Sequence, residues 1–254
     1  MNAILDIKDV SFIYHDEDKA TMALENISFD VKEKEFVSIV GPSGCGKSTL
    51  LSIIAKLNTG YSGSIYLKDK KLECSDTQIG YMLQKDYLLN WRSVYRNILL
   101  GLEIQKKNTE ENINYVDELL KKYGLYEFRY FKPSQLSGGQ KQRAALIRTL
   151  SVNPEILLLD EPFSALDYQT RLFVSDEIAT IIRNEEKTAI LVTHDISEAV
   201  SISDRVIVLT KHPGKIKNIH EIDLMTHSPL KARENPEFPN YFNKIWKELE
   251  FHEH

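Results

Sequence analysis

Cysteine is scarce in this chain: two in 254 residues, Cys45 and Cys74. Two thiols make neither a disulfide framework nor a metal-ligand set, and a reducing cytoplasm is the expected compartment. Long apolar runs are absent. Stretches such as Ile156 to Leu159 and Ala189 to Val192 are of strand length, far short of the roughly 18 residues of a membrane span. The opening residues Met1 to Asp6 lack a basic region followed by an apolar one, so no secretory leader is expected. Positive charge is not in excess. Thirty-two Lys and Arg face 37 Asp and Glu, for a net charge of −5, and the two signs are interspersed. That balance excludes the basic footprint of a nucleic-acid binder, and no heptad run points to a coiled coil. The length allows one large α/β domain or a core with a subdomain.

What is there begins with phosphate chemistry. Gly41-Pro42-Ser43-Gly44-Cys45-Gly46-Lys47-Ser48-Thr49 matches the phosphate-loop pattern G-x-x-x-x-G-K-[ST] at every fixed position. The apolar run Phe36 to Val40 precedes it, and a helical pattern at Leu50, Leu51, Ile53, Ile54 and Leu57 follows. Glycines let successive backbone N–H groups face a polyphosphate at the positive end of the helix. Lys47 adds a mobile charge for the β- and γ-phosphates, and Ser48 a hydroxyl for Mg²⁺. Cys45 inside this loop reads either as a small packing residue or as a thiol whose oxidation would block ATP.

Two further segments belong to the same chemistry. Ile156 to Leu159 is a strand ending in Asp160 and Glu161. Ligands of α/β sheets lie beyond the carboxyl ends of the strands. Asp160 is therefore expected near Mg²⁺ and Glu161 near an attacking water. In Leu136-Ser137-Gly138-Gly139-Gln140, Ser137 is a helix-capping type of residue and the glycines open a helix, which makes a second anion site. One compact ATP site has no need of two phosphate cradles. A head-to-tail dimer does, with each nucleotide held between one chain's loop and the other chain's Ser-Gly-Gly.

The surrounding texture is α/β. Residues 4–10 and 27–31 alternate as antiparallel strands, 36–40 is a buried strand, and 63–67 and 79–83 are short strands. Val94, Ile98, Leu99 and Leu102 share one helix face, as do Ile113, Val116, Leu119, Leu120 and Tyr123, with a polar stretch from Gln105 to Asn114 between them. From residue 155, strands at 156–159, 188–192 and 205–210 alternate with helices at 171–183 and 195–202, the pattern of a mostly parallel sheet covered on both faces. The expected organisation is an N-terminal part of the core at 1–84, a helical insertion at 85–150, the rest of the core at 151–225 and an extension at 226–254. In the extension, prolines 229, 236 and 239 interrupt the chain before a helix striped by Phe242, Ile245, Trp246 and Leu249. That stripe reads as packing on the body or as a regulatory, partner-docking face.

Taken together, these motifs resemble the ATP-binding subunit of an ABC transporter across residues 4–223. The resemblance implies a phosphate-loop NTPase core of ABC type with an antiparallel β subdomain and an inserted helical subdomain. Tyr14 is similar to the family's adenine-stacking aromatic, and Gln84 to the glutamine that senses Mg²⁺ and the γ-phosphate. Residues 136–140 match its LSGGQ segment, and Ser164-Ala165-Leu166-Asp167 matches the loop that communicates across the dimer. His194 matches the switch histidine on the γ-phosphate. The implied mechanism has Glu161 as general base, two chains closing over two ATP, and the motion passed to integral membrane permease subunits through a groove near Gln84. The place implied is the cytoplasmic face of the membrane, with an extracytoplasmic solute-binding protein as an indirect partner.

Leu88-Leu89-Asn90-Trp91-Arg92-Ser93-Val94, with Asn97, resembles a segment typical of the nitrate, sulfonate and taurine importers; Asn90 replaces the usual proline and Lys34 a usual glycine. Similar ATPases serve thiamine-precursor and riboflavin importers, and others act outside transport in iron–sulfur assembly or cell division. Trp91 either packs the helical subdomain or lines the permease groove.

Overall fold

The computed structural model describes residues 3–16, 19–226 and 228–250. The first two residues of the leader reading, and residues 227 and 251–254 of the extension, lie outside them. Strands β1 (Ala3–Asp16) and β2 (Lys19–Lys32) pair antiparallel. A register shift at the left-handed Asp9 moves the buried positions from Leu5 and Ile7 to Val10 and Phe12. With β4 (Ser62–Leu67) and β5 (Lys70–Lys71) they form an antiparallel sheet in the order β2-β1-β4-β5, β3 (Phe36–Val40) lying between β2 and β4 in sequence.

The second sheet runs β10-β9-β3-β8-β7-β6. Its members are β3, β6 (Ile79–Met82), β7 (Ile156–Asp160), β8 (Thr188–Thr193), β9 (Arg205–Leu209) and β10 (Ile216–Glu221). All neighbours are parallel except β9 and β10. Every residue of β3 and β8 is buried, which explains why both read as mostly apolar runs rather than alternations, with Ser38, Thr188 and Thr193 as the buried polar residues. The two faces still separate by parity. Ile156 and Leu158 pack with helix α1 (Lys47–Ile54) between the two sheets, and Leu157 and Leu159 pack on the helical side.

That helical side holds α2 (Val94–Ile98), α3 (Leu100–Gln105), α4 (Glu110–Lys122), α5 (Gly138–Leu150) and α6 (Tyr168–Asn184). The expected face at Val94, Ile98, Leu99 and Leu102 is buried, but the helix breaks at Leu99, which caps α2 and opens α3. α7 (Ile196–Ile202), α8 (Pro229–Glu234) and α9 (Phe238–Glu250) pack together with Val40, Val206 and Val208.

The C-terminal third adds one strand, corrects one expectation and meets another. β10 was not anticipated; its residues alternate too weakly to announce a strand, and pairing with β9 makes it one. The proline-rich stretch is not simply broken. Pro229 occupies the first turn of α8, where its missing N–H costs nothing, and Pro239 lies in the first turn of α9. The α9 stripe packs on the body: Ile245 is fully buried and Phe242 and Leu249 lie against the α7–α8 cluster, while Trp246 stays half exposed over Phe242.

Candidate active site

β3 delivers the 41–46 loop from the middle of the parallel sheet, and α1 begins at Lys47. Gly46 caps the helix at φ 100°, and a Cβ there would meet Leu24 and the Ala23 carbonyl within 2.8 Å. Only glycine fits on both counts. Lys47 is 6% exposed, and its ammonium donates to the carbonyls of Gly41 (2.8 Å) and Pro42 (2.9 Å). These partners are neutral, and a polyphosphate would supply the negative charge that a buried ammonium needs. Cys45 is 1% exposed and packs behind the loop, and burial pushes its thiol above the usual range. Both features belong to the packing reading and not to a reactive thiol.

A cavity of about 490 Å³ opens over this loop, lined by Ser43, Gly44, Gly46, Lys47, Ser48 and Thr49. Tyr14 on β1 stands at its edge. Its hydroxyl is 3.1 Å from Thr49 Oγ1 and accepts from Asn58 (3.3 Å), and Phe12 meets the ring edge-on at 4.9 Å. Tyr14 is 46% exposed.

Glu161 and His194 reach the same cavity from the ends of β7 and β8. Parallel pairing sets these ends side by side, Asp160 opposite Val192. Glu161 turns out of the strand at φ 44°, its N–H donating to the Val192 carbonyl (2.9 Å). Its Oε2 is 3.2 Å from His194 Nδ1 and accepts from Gln84 Nε2 at 3.4 Å. Gln84 also donates to Ser164 Oγ (3.2 Å), which donates to the Glu161 carbonyl (3.0 Å). Asp160 accepts from Ser48 (2.9 Å) and Tyr81 (3.2 Å), and burial raises its carboxyl. A cation beside it would relieve that desolvation, and hydroxyl and carboxylate oxygens are the donors that Mg²⁺ takes alongside substrate phosphates. The residues present therefore fit Mg²⁺. Among the described residues no cluster of three His, Cys, Asp or Glu could hold a metal unaided.

The remaining candidates lie elsewhere on the chain. Ser137 caps α5, accepting from the Gln140 N–H (3.3 Å) while the Gln140 side chain accepts from Ser137 N–H (2.9 Å). Gly138 and Gly139 follow in the first turn, and none of these four residues lines the cavity. Asp167 caps α6 through Thr170 N–H (3.1 Å), and hydrogen bonds from Thr170 hold its carboxyl low. It does not line the cavity either. Sequence reasoning missed Ser164 as a partner of both Gln84 and Glu161, and missed Thr21 and His212 at the cavity wall. Pairing of Tyr14 with Thr21 across the β1–β2 hairpin was the signal for Thr21; no motif marks His212.

Residues 24–164 match the family described as ABC transporter, more than half of the chain. The chain belongs to the ABC transporter family. This ABC cassette binds and hydrolyses ATP. It is 44% identical over 249 residues to the ABC transporter ATP-binding protein YtlC of Bacillus subtilis, covering 97% of this chain and 96% of that one. It is 39% identical to the aliphatic sulfonates import ATP-binding protein SsuB of Bacillus licheniformis, covering 91% and 88%. A solved dimeric post-hydrolysis state of the ATP-binding cassette MJ0796, bound to ADP and Pi, superposes with a TM-score of 0.72 at 33% identity, covering 86% of this cassette and 99% of that chain.

Proposed function

We propose that this cassette is the energy-coupling ATPase of an importer for a small anion, such as a sulfonate, taurine or nitrate. The observation that carries this reading is the similarity to aliphatic-sulfonate import subunits over nearly the whole chain. The 88–93 loop supports it. Trp91 is 74% exposed, so it leaves the packing of the helical layer to others. The loop beneath it is rigid: buried Asn97 donates to the carbonyls of Leu89 (3.1 Å) and Ser93 (2.9 Å) and accepts from Leu89 N–H (2.6 Å). An exposed indole on an ordered loop suits a protein partner, here a cytoplasmic segment of a permease.

In this reading two copies close head to tail over two ATP. The 41–49 loop and Lys47 of one copy hold the phosphates, and Ser137 to Gln140 of the other cover them, as the dimeric state of the solved relative suggests. Tyr14 stacks on the adenine. Ser48 and Asp160, together with Gln84 from its place next to Glu161, would hold Mg²⁺, which would neutralise phosphate charge when bound. Glu161 orients and deprotonates the attacking water, and His194, 3.2 Å from it, contacts the γ-phosphate where charge develops. Asp167, at the start of α6, faces the partner copy. Among the described residues no helix is long and apolar enough to cross a membrane, so attachment to the cytoplasmic face comes through the permease, with a solute-binding protein on the far side. Affinity purification of the tagged chain from gently solubilised native cells tests the proposal. Recovery of a multispan membrane protein together with a solute-binding protein supports it; exclusively soluble partners overturn the transport reading.

A further inference from the structure

Glu198 is a carboxylate in the α7 interior that none of the chemistry above uses. It is 3% exposed, and its Oε2 accepts from the Thr193 hydroxyl at 2.7 Å. The same Thr193 oxygen accepts from the Asp195 N–H at 3.0 Å. Asp195 in turn accepts from Ser197 N–H (2.8 Å) and Glu198 N–H (3.2 Å), capping α7. A chain of hydrogen bonds thus runs from Asp195 N–H through Thr193 Oγ1–H to Glu198. It closes around the one residue between Thr193 and Asp195, which is His194.

We propose that Glu198 is a positioning residue: its buried carboxylate, acting through the Thr193 hydroxyl, fixes the turn that aims His194 at the reacting phosphate. The inference rests on the reading of His194 as a γ-phosphate contact. Donation runs one way along the chain, because the Asp195 N–H can only donate and so leaves the Thr193 proton to go to Glu198. An ionised Glu198 makes this last bond charge-assisted, and such bonds are roughly twice as strong as neutral ones. A proton on Glu198 removes that assistance and frees the turn.

The charges acting on Glu198 are Arg171 from α6, Arg233 from α8 and Asp195 from the turn itself. The two arginines favour its ionised form and Asp195 opposes it. Burial dominates and pushes Glu198 up to about 7, so its charge changes near neutral pH. Arg171 also lies 3.7 Å from Asp195, which ties both ends of the turn to α6. Arg233 brings the C-terminal segment into the same field.

The test compares Glu198→Gln, Glu198→Ala, His194→Ala and the His194→Ala/Glu198→Ala pair, reading kcat across pH, ATP affinity and melting temperature. Wild-type kcat is expected to fall as pH drops through about 7, and Glu198→Gln to flatten that limb. Both Glu198 variants should lose roughly tenfold in kcat, with ATP affinity kept within about twofold, because only aim is lost. In the His194→Ala background, Glu198→Ala should cost less than about twofold more, since the group being aimed is gone. A burial-raised carboxyl makes the folded state disfavour the ionised form, so stability falls as pH rises from the unfolded value toward about 7. Neutral Glu198→Gln should therefore melt no lower than wild type at pH 8. A wild-type pH profile in Glu198→Gln, or full additivity with a slow His194→Ala, overturns the role of Glu198 alone. Unimpaired turnover in His194→Ala overturns the underlying reading of the histidine as well.

Discussion

Two segments carrying glycine and serine each open a helix, residues 41–46 before α1 and residues 136–139 across the start of α5, and their glycines serve opposite ends. In the first, Gly44 and Gly46 sit at φ 76° and 100°, and no side chain caps the helix. The Cys45 N–H donates to the Pro42 carbonyl (3.3 Å), no side chain competes for the N–H groups that open α1, and the glycines are conformational. In the second, Ser137 and Gln140 cap the helix reciprocally, and no positive φ is needed. Its glycines are steric: a Cβ on Gly138 would stand 3.0 Å from Leu166, and one on Gly139 would stand 2.8 Å from Val174. They let α5 lie close to α6 and to the 164–167 turn. In the proposed reading the first turn would be a binding surface within one chain, and the second an edge that serves a nucleotide held by another copy.

The contrast predicts a graded set of effects. The largest is at Glu161, beside the first turn. Glu161→Gln should lower turnover by about 10²–10⁴-fold and keep ATP binding, because it removes proton transfer and leaves the cradle; steady-state phosphate release with calorimetric ATP titration checks both halves. Next is Lys47→Ala. Loss of charge-assisted bonds worth roughly 1.5–3 kcal/mol should weaken ATP binding about ten- to hundredfold. Unchanged affinity by calorimetry would remove the first turn's claim to the phosphates.

The glycines then separate the two turns directly. Gly46→Ala should cost about 1–3 kcal/mol of stability, from strain at positive φ, and should weaken ATP binding in the single chain. Gly139→Ala should cost a similar amount by overpacking on Val174 but leave single-chain ATP affinity unchanged. Denaturant melts paired with nucleotide titration distinguish them; equal losses of affinity would show that the two turns are not different in kind. The smallest effect is at Ser137→Ala, where losing the cap should cost about 1 kcal/mol and lower the melting temperature by a few degrees without changing single-chain ATP affinity.

Legibility followed the same division. The phosphate loop, the Asp160-Glu161 strand end and the Ser137 cap were readable because each is local: a fixed spacing, an apolar run that stops at an acid, a capping residue before a helix. The central parallel strands were readable because burial on both faces leaves mostly apolar residues. What stayed hidden depended on distant partners. Leu99 carries an apolar side chain suited to a continuous helix, yet the helix breaks there, because propensity does not record how α2 and α3 pack on α5. β10 became a strand through β9, and Pro229 became a helix start through the contacts of α8 with α6 and α7. Ser164 met Gln84 only because residues 80 positions apart come together, whereas its bond to the Glu161 carbonyl is local.

By itself the sequence determined the chemistry on offer: which loop has the phosphate-binding pattern, which carboxylates follow the strand, where helices are capped. Glycine conformations, caps and apolar periodicity act over a few residues, and short-range physics can be read from spacing. The tertiary structure decided which of those groups meet. It gathered Lys47, Glu161, His194 and Gln84 at the ends of adjacent strands, left Ser137 to Gln140 outside their cavity, and buried Glu198 beneath the histidine turn. Strand order and burial come from packing among residues far apart in the chain, and no local pattern encodes them.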